Sequence, residues 1–269
     1  MRAVQRQAML AVTAGARAGR CYAATQLRTR EPQGAPVSGQ GDAVTPTPHS
    51  PRPAGEAERG RPSLRAQAYQ SLKHQIITCV LRPGEYVNEA RISELLNMGR
   101  TPVHQALDRL MVEGMVDIMP RKGVRVRPIS LQDLTQITEV RLLNEPYCAR
   151  LAALHAGDAE RAALGDIVCR SEPVVRARDT ARMITCDREF HAAIVAAARN
   201  DVLEDILLKL HDRSLRFWFI SLTAREQPDA VMREHQRIVD AIQARRPDAA
   251  DAAMRAHIES FRRNVAHNI

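Results

Sequence analysis

Aromatic residues are scarce in this chain of 269 residues, with one Trp and four each of Tyr and Phe. Sandwiches and barrels draw on aromatic and β-branched side chains, whereas Ala, Leu, Ile, Val and Arg dominate here, so a mainly helical fold is expected. Cysteine is sparse and unpatterned: Cys21, Cys79, Cys148, Cys169 and Cys186 form no C-x-x-C pair. That excludes a disulfide framework and suits a reducing cytoplasm, with most of these thiols serving as small core residues. No apolar run approaches the roughly 20 residues of a membrane span, so no membrane partner is expected. A phosphate-binding glycine loop and a nucleophile elbow are both missing, which leaves little from which to build an enzyme. No segment repeats at a period of 20–50 residues, which speaks against a solenoid.

What is present is unevenly spread. The formal charge is +8. Residues 63–128 carry ten Lys and Arg against six acids, whereas 129–269 carry twenty against twenty-one. Contact with an anionic partner therefore belongs to the middle of the chain. Residues 1–62 hold nine Arg and four acids, and from Glu31 on they are rich in Pro, Gly, Ser, Thr and Ala. Such a stretch cannot bury enough apolar surface to offset its ordering entropy, so a disordered extension is expected. The apolar run Ala8–Val12 is short for a targeting segment. Order is expected from Ser63, with a helix to about Val80 whose apolar stripe is Leu64, Ala68, Leu72, Ile76 and Val80.

Residues 88–112 then read as helix, tight turn, helix. Asn88 to Leu96 form the first helix and Asn97-Met98-Gly99 the turn. In the second helix Val103, Ala106, Leu107 and Leu110 face a core, which leaves Arg100, Thr101 and His104 on an exposed edge. Arg100 sits where a guanidinium can fork onto a guanine edge. Glu113-Gly114 ends the helix. Residues 115–119 and 124–127 alternate around Pro120-Arg121-Lys122-Gly123, a two-stranded wing with a basic tip. A winged helix-turn-helix over 63–128 predicts contact with double-stranded DNA.

The remainder, 129–269, reads as about six helices, near 131–155, 158–178, 181–198, 201–223, 229–245 and 248–266. Asp187 and His191 lie one turn apart on one of them, and His235 and His257 fall on two others. One carboxylate and three imidazoles can bind a first-row divalent ion with positions left open. Read from spacing alone, each His is more often a hydrogen-bonded core or surface residue.

Leu81-Arg82-Pro83-Gly84-Glu85, Asn88-Glu89, Arg100-Thr101-Pro102-Val103, Ala106-Leu107, Arg109-Leu110 and Glu113-Gly114-Met115-Val116 carry a resemblance. With them, residues 65–127 resemble the winged domain of the GntR family of bacterial transcription regulators. The family usually has Ser before the Arg and Arg-Glu after the Val, where this chain has Gly99, His104 and Gln105. The resemblance implies DNA contact by Arg100, Thr101, His104, Arg109, Arg121, Lys122 and Gly123. With His104 in the place of an Arg that touches DNA, affinity, pH response or specificity is expected to differ.

Glu139-Val140-Arg141-Leu142-Leu143-Asn144-Glu145-Pro146 and the Asp-x-x-Phe-His, His, His series carry a second resemblance. The stretch from Ser130 on resembles the all-helical FCD effector domain of the FadR-type branch, in its six-helix form. The resemblance implies zinc, nickel or manganese held by Asp187, His191, His235 and His257, with a small organic-acid effector beside the ion. Arg141 either pairs with that acid or forms a salt bridge to Glu145. The expected molecule is a cytoplasmic homodimer that reads an inverted repeat under effector control, most often as a repressor. Its rivals are a metal-dependent hydrolase or lyase using the Asp/His site and a sequence-indifferent architectural DNA protein.

Overall fold

The computed structural model describes residues 62–224 and 228–268, so the extension expected over 1–62 lies, apart from Pro62, outside the described residues. Helix α1 (Leu64–Ile77) starts on Ser63, whose hydroxyl accepts from the Ala66 N–H at 3.2 Å and so satisfies a donor left open at the helix start. The stripe expected for α1 needs correcting at both ends. Leu64 is exposed, and the helix stops at Ile77 because Cys79 adopts a left-handed φ of 52°. The buried face is Ala68, Tyr69, Leu72, Ile76 and Ile77.

Asn88 caps α2 (Glu89–Leu96) by accepting from the Arg91 N–H at 2.7 Å. Asn97 ends it in the left-handed region, φ 50°, a conformation Asn tolerates better than most residues. Helix α3 (Arg100–Val112) follows, with Val103, Ala106, Leu107 and Leu110 buried as their spacing predicts. Strands β2 (Val116–Met119) and β3 (Gly123–Val126) pair in antiparallel register, Ile118 opposite Val124. The sheet has three strands where two were expected, because β1 (Tyr86–Val87) pairs with the other edge of β3. Two residues are too few to show alternation in the sequence, so this strand left no signal.

Six helices complete the chain: α4 (Leu131–His155), α5 (Asp158–Arg176), α6 (Thr180–Ala197), α7 (Asp201–Ala224), α8 (Pro228–Gln243) and α9 (Pro247–Asn268). Their ends fall within two residues of those expected. Helix α4 touches α6, α7, α8 and α9, so the bundle is built around it. Its small residues Ala149, Ala152 and Ala153 let neighbours approach, and Phe190, Ile194, Ile238, Ile242 and Ile258 fill the space between them. Pro146 lies inside α4 and cannot donate to the Leu142 carbonyl, which instead accepts from Arg255 on α9 at 3.3 Å.

The winged part and the bundle share apolar surface. Leu72, Ile76, Met183, Leu215, Trp218 and Phe219 belong to one buried cluster that runs from α1 into α6 and α7. Full burial of such a side chain is worth about 1.5–3 kcal/mol, so this contact resists separation of the two parts. No helix among the described residues is long and apolar enough to cross a membrane.

Candidate nucleic-acid interface and candidate metal centre

Arg100, Thr101 and His104 are all exposed at the start of α3. Gly99 occupies the N-cap and supplies no side-chain hydrogen bond, so the first N–H groups of α3 keep their capacity to donate to a phosphate. The His104 Nδ1 lies 2.9 Å from Glu89 Oε1, and its Nε2 is 3.7 Å from Asp108. The hydrogen bond to Glu89, joined by the charges of Asp108 and Glu89, raises the pKa of His104 above its ordinary value of 6.5.

At the wing tip Arg121 and Lys122 are exposed between β2 and β3. Gly123 contributes backbone geometry. Its φ is 88°, and a Cβ there would stand 2.9 Å from the Val87 carbonyl oxygen of β1. Arg109 is set apart from Arg100, roughly half a turn around α3. Its guanidinium lies 3.7 Å from the Tyr69 ring centroid, and its Nε donates to Glu113 at 3.1 Å.

Within the bundle, α6 supplies Asp187 and His191, α8 supplies His235 and α9 supplies His257, all buried. The three imidazoles of His191, His235 and His257 bring one ring nitrogen each to within 4.8 Å of the others. The orientation of two rings follows from carboxylates behind them. His257 Nδ1 is 2.9 Å from Glu234 Oε2, and His191 Nδ1 is 3.3 Å from Glu145 Oε2. A carboxylate only accepts, so it holds the proton on Nδ1 and leaves the Nε2 lone pair facing inward. This is the arrangement in which metal-ligating histidines are commonly held. His235 Nε2 is buried without a hydrogen-bond partner, 3.4 Å from Asp187 Oδ1. The three imidazoles fit a divalent transition ion in donor type and in carrying a buried nitrogen without a partner, whereas Asp187 stands outside their group, its two oxygens against His235 and His211.

Electrostatics agree with that fit. Burial alone would raise the Asp187 carboxyl, but His211, His191 and His235 outweigh it and hold the group well below the usual carboxylate range. Burial holds His235 well below its ordinary value, so it stays neutral and free to ligate. His211 lies outside the Asp-x-x-Phe-His, His, His series, and its spacing gives no signal. It is buried on α7, its Nε2 is 3.1 Å from Asp187 Oδ2, and burial followed by the charge of His191 lowers its pKa to about 4.

Arg141 is fully buried and forks onto Glu145, with Nε to Oε1 at 2.5 Å and Nη2 to Oε2 at 3.1 Å. The salt bridge to Glu145, one of its two expected roles, is thus present. Arg141 also lines a cavity of about 20 Å³ with Asp187, His191, His211 and His257, room for a single water-sized group.

A buried ionic cluster that sequence reasoning missed joins this centre to the head. Lys73 of α1 bridges Glu113, 2.6 Å away at the end of the α3 helix, and Asp212 of α7 at 2.5 Å. Tyr69 donates to Glu113 at 2.6 Å, and Arg188 of α6 pairs with Asp212 at 2.7 Å. Asp187 and Arg188 are sequence neighbours, as are His211 and Asp212. On each helix one residue faces the metal centre and the next reaches the cluster. Close by, Arg216 of α7 donates to the Arg127 carbonyl just after β3, and burial lowers its pKa to about 10.

A basic helix start beside a wing, joined to a helical bundle with a buried centre, defines a DNA-binding transcriptional regulator of the winged helix-turn-helix class. Residues 64–126 match the family described as bacterial regulatory proteins, gntR family, and residues 136–260 match the FCD domain. The chain belongs to the GntR family and carries an FCD domain.

Among its relatives is an uncharacterized HTH-type transcriptional regulator of Agrobacterium vitis, from the TAR-I ttuE-ttuC' intergenic region. It is 33% identical over 144 residues, 49% of this chain and 78% of the relative. The HTH-type transcriptional repressor RspR of Escherichia coli K12 is 25% identical over 202 residues, 75% of this chain and 89% of RspR. The solved structure of E. coli McbR/YncC shares the fold with a TM-score of 0.70 at 20% identity, covering 77% of this chain and 99% of that one. These families and relatives are transcriptional regulators, so the expected rival, a metal-dependent hydrolase or lyase, is set aside.

Proposed function

We propose that the protein is a homodimeric repressor whose hold on an inverted-repeat operator is set by a small carboxylate bound beside a divalent ion in the bundle. The observation that carries this reading is the ionic cluster around Lys73. It ties the helices bearing Asp187 and His211 to Glu113, the residue that ends the recognition helix. A shift of α6 or α7 on effector binding therefore loads directly onto α3.

Asp187, His191, His235 and His257 would hold zinc, nickel or manganese. When bound, such an ion supplies a Lewis-acidic anchor for a carboxylate oxygen. Arg141 is the proposed partner of the same carboxylate, exchanging Glu145 for the incoming acid, since its fork suits bidentate pairing. The cavity holds only a water-sized group, so a larger effector has to displace these side chains, and that displacement is the signal.

On the DNA, Arg100 and Thr101 read base edges, with His104 beside them. Arg121 and Lys122 contact the backbone from the wing, and Gly123 fixes the tip. Arg109, engaged by Tyr69 and Glu113, serves the cluster instead. Dimerisation is supported by an apolar stripe on α4: Val140, Leu143, Tyr147 and Leu154 share one helix face and are all exposed. Two copies related by a two-fold axis present two recognition helices to an inverted repeat. The repressor assignment follows RspR, named a repressor. This reading places the protein with the nucleoid in a bacterial cytoplasm.

Metal content tests the effector half of the reading. Purified full chain is predicted to carry about one divalent ion per copy, and the double variant His191→Ala, His235→Ala to lose it. That loss should abolish any thermal stabilisation by added organic acids. Equal metal content in the two proteins would discard the proposed ligands.

A further inference from the structure

We propose that the effector is an amphipathic monocarboxylic acid whose short apolar tail enters a second chamber of the bundle, beside the one lined by Arg141. This deepens the carboxylate reading above and rests on it.

The second chamber, of about 20 Å³, lies between α5, α6, α7 and α8. Asp187, Trp218 and Val231 line both chambers, so the two adjoin across these side chains. The rest of the lining differs. Around the first chamber stand Arg141 and the imidazoles of His191, His211 and His257. Around the second stand Val175, Met183, Pro228 and Met232. Its Ser171 hydroxyl already donates to the Ile167 carbonyl at 2.7 Å, and its Asp187 and His235 are turned on each other at 3.4 Å. No Lys or Arg lines it.

These linings sort the two ends of a ligand. A carboxylate finds a guanidinium only in the first chamber. In the second it would meet the Asp187 carboxylate and apolar walls, and an unpaired buried charge is strongly disfavoured. Apolar surface has the opposite preference. A void leaves its lining without partner atoms, and an apolar group that fills it restores those contacts. The void as it stands has room for one water-sized group, so the tail is short. Met183 and Met232 set its limit, because unbranched thioether side chains can reshape to admit about two to four carbons.

The same walls bear on the head. Val175, Met183, Trp218 and Val231 belong to the buried cluster that also holds Leu72 and Ile76 of α1. A tail pressing on them shifts the support of α1 by a route separate from Lys73.

Straight-chain acids test this on the full chain loaded with zinc, with affinity read by calorimetry from acetate to hexanoate. Affinity is predicted to rise about fourfold per methylene until the chamber is full, then to level off. Succinate, of butyrate's length but charged at both ends, is predicted to bind at least about tenfold more weakly than butyrate. Val175→Phe, which fills the chamber, should abolish the gain with length yet leave acetate binding as in the parent. Met183→Ala, which enlarges it, should carry the rise to longer acids. Circular dichroism checks that each variant is folded, and should Val175→Phe fail to fold, the parent and Met183→Ala series decide. Affinity independent of length, succinate bound as tightly as butyrate, or an undiminished gain in folded Val175→Phe each overturns this inference alone, since carboxylate binding itself persists. No binding of any acid, acetate included, removes the carboxylate reading as well.

Discussion

The two working surfaces of this molecule are built on opposite principles. On the head, Arg100, Thr101, His104, Arg121 and Lys122 project from element ends into solvent and pack against little. In the bundle, Asp187, His191, His211, His235 and His257 are all buried and lie against one another. A surface that meets a polyanion needs exposed donors, and their removal costs recognition without costing stability. A buried cluster of titratable groups is stable only when its members satisfy each other or an ion, so a change there alters the packing around it. On the proposed reading, sensing sits where perturbation spreads, and DNA reading sits where it does not. Lys73 lies at the junction, buried like the bundle residues but tied to the end of the reading helix.

Lys73→Met breaks the contrast most severely. It leaves Glu113 and Asp212 buried with their central cation gone, and removing one partner of a buried ion pair costs about 3–5 kcal/mol. Thermal denaturation should show a loss of roughly 6–15 °C, whereas an unchanged midpoint would mean that the cluster is not a structural tie. Arg100→Ala sharpens the contrast from the other side. It should forfeit about 1–3 kcal/mol of discrimination between the preferred and a mismatched duplex while the melting midpoint stays within about a degree. Retained selectivity would remove Arg100 from base reading.

The smallest effect concerns His104. Its pKa is raised above 6.5 by the Glu89 hydrogen bond, so the charged form prevails below that raised value and is lost as pH climbs through it. Loss of the charge leaves Glu89 and Asp108 uncompensated beside the DNA. Duplex affinity should fall about two- to threefold across a window lying above pH 6.5, more at low salt than at high. In Glu89→Gln the window should move down, and a pH-independent affinity would exclude His104 from the interface.

Legibility in the sequence followed the same division. The head could be read because its signals are local. Caps, turn residues and helical spacing all lie within a few residues of one another, and Asn88, Asn97, Gly114 and Gly123 each perform the backbone task their type suggests. The helices of the bundle were readable for the same reason. Its centre was not, because Asp187, His191, His235 and His257 are drawn together only by the packing of α6, α8 and α9, and it was the family pattern that joined them. His211 fits no such pattern, and only the packing of α7 against α6 brings it to Asp187. The tie through Lys73, Glu113 and Asp212 links residues 139 positions apart, and a Lys on a helix ordinarily faces water. Arg109 illustrates the converse, since its motif position suggested DNA while the Tyr69 ring and Glu113 hold it on the other side of α3.

The central claim is that an occupant of the bundle changes how the head holds DNA. It is tested by the affinity of the metal-loaded full chain for a duplex selected from a randomised pool, at fixed salt, with and without each small organic acid that raises its melting midpoint. Coupling of about 1–3 kcal/mol predicts a 5- to 150-fold change in affinity with at least one such acid, lost in Asp212→Asn. An acid that stabilises the protein through His191 and His235 yet leaves duplex affinity unchanged would contradict the account.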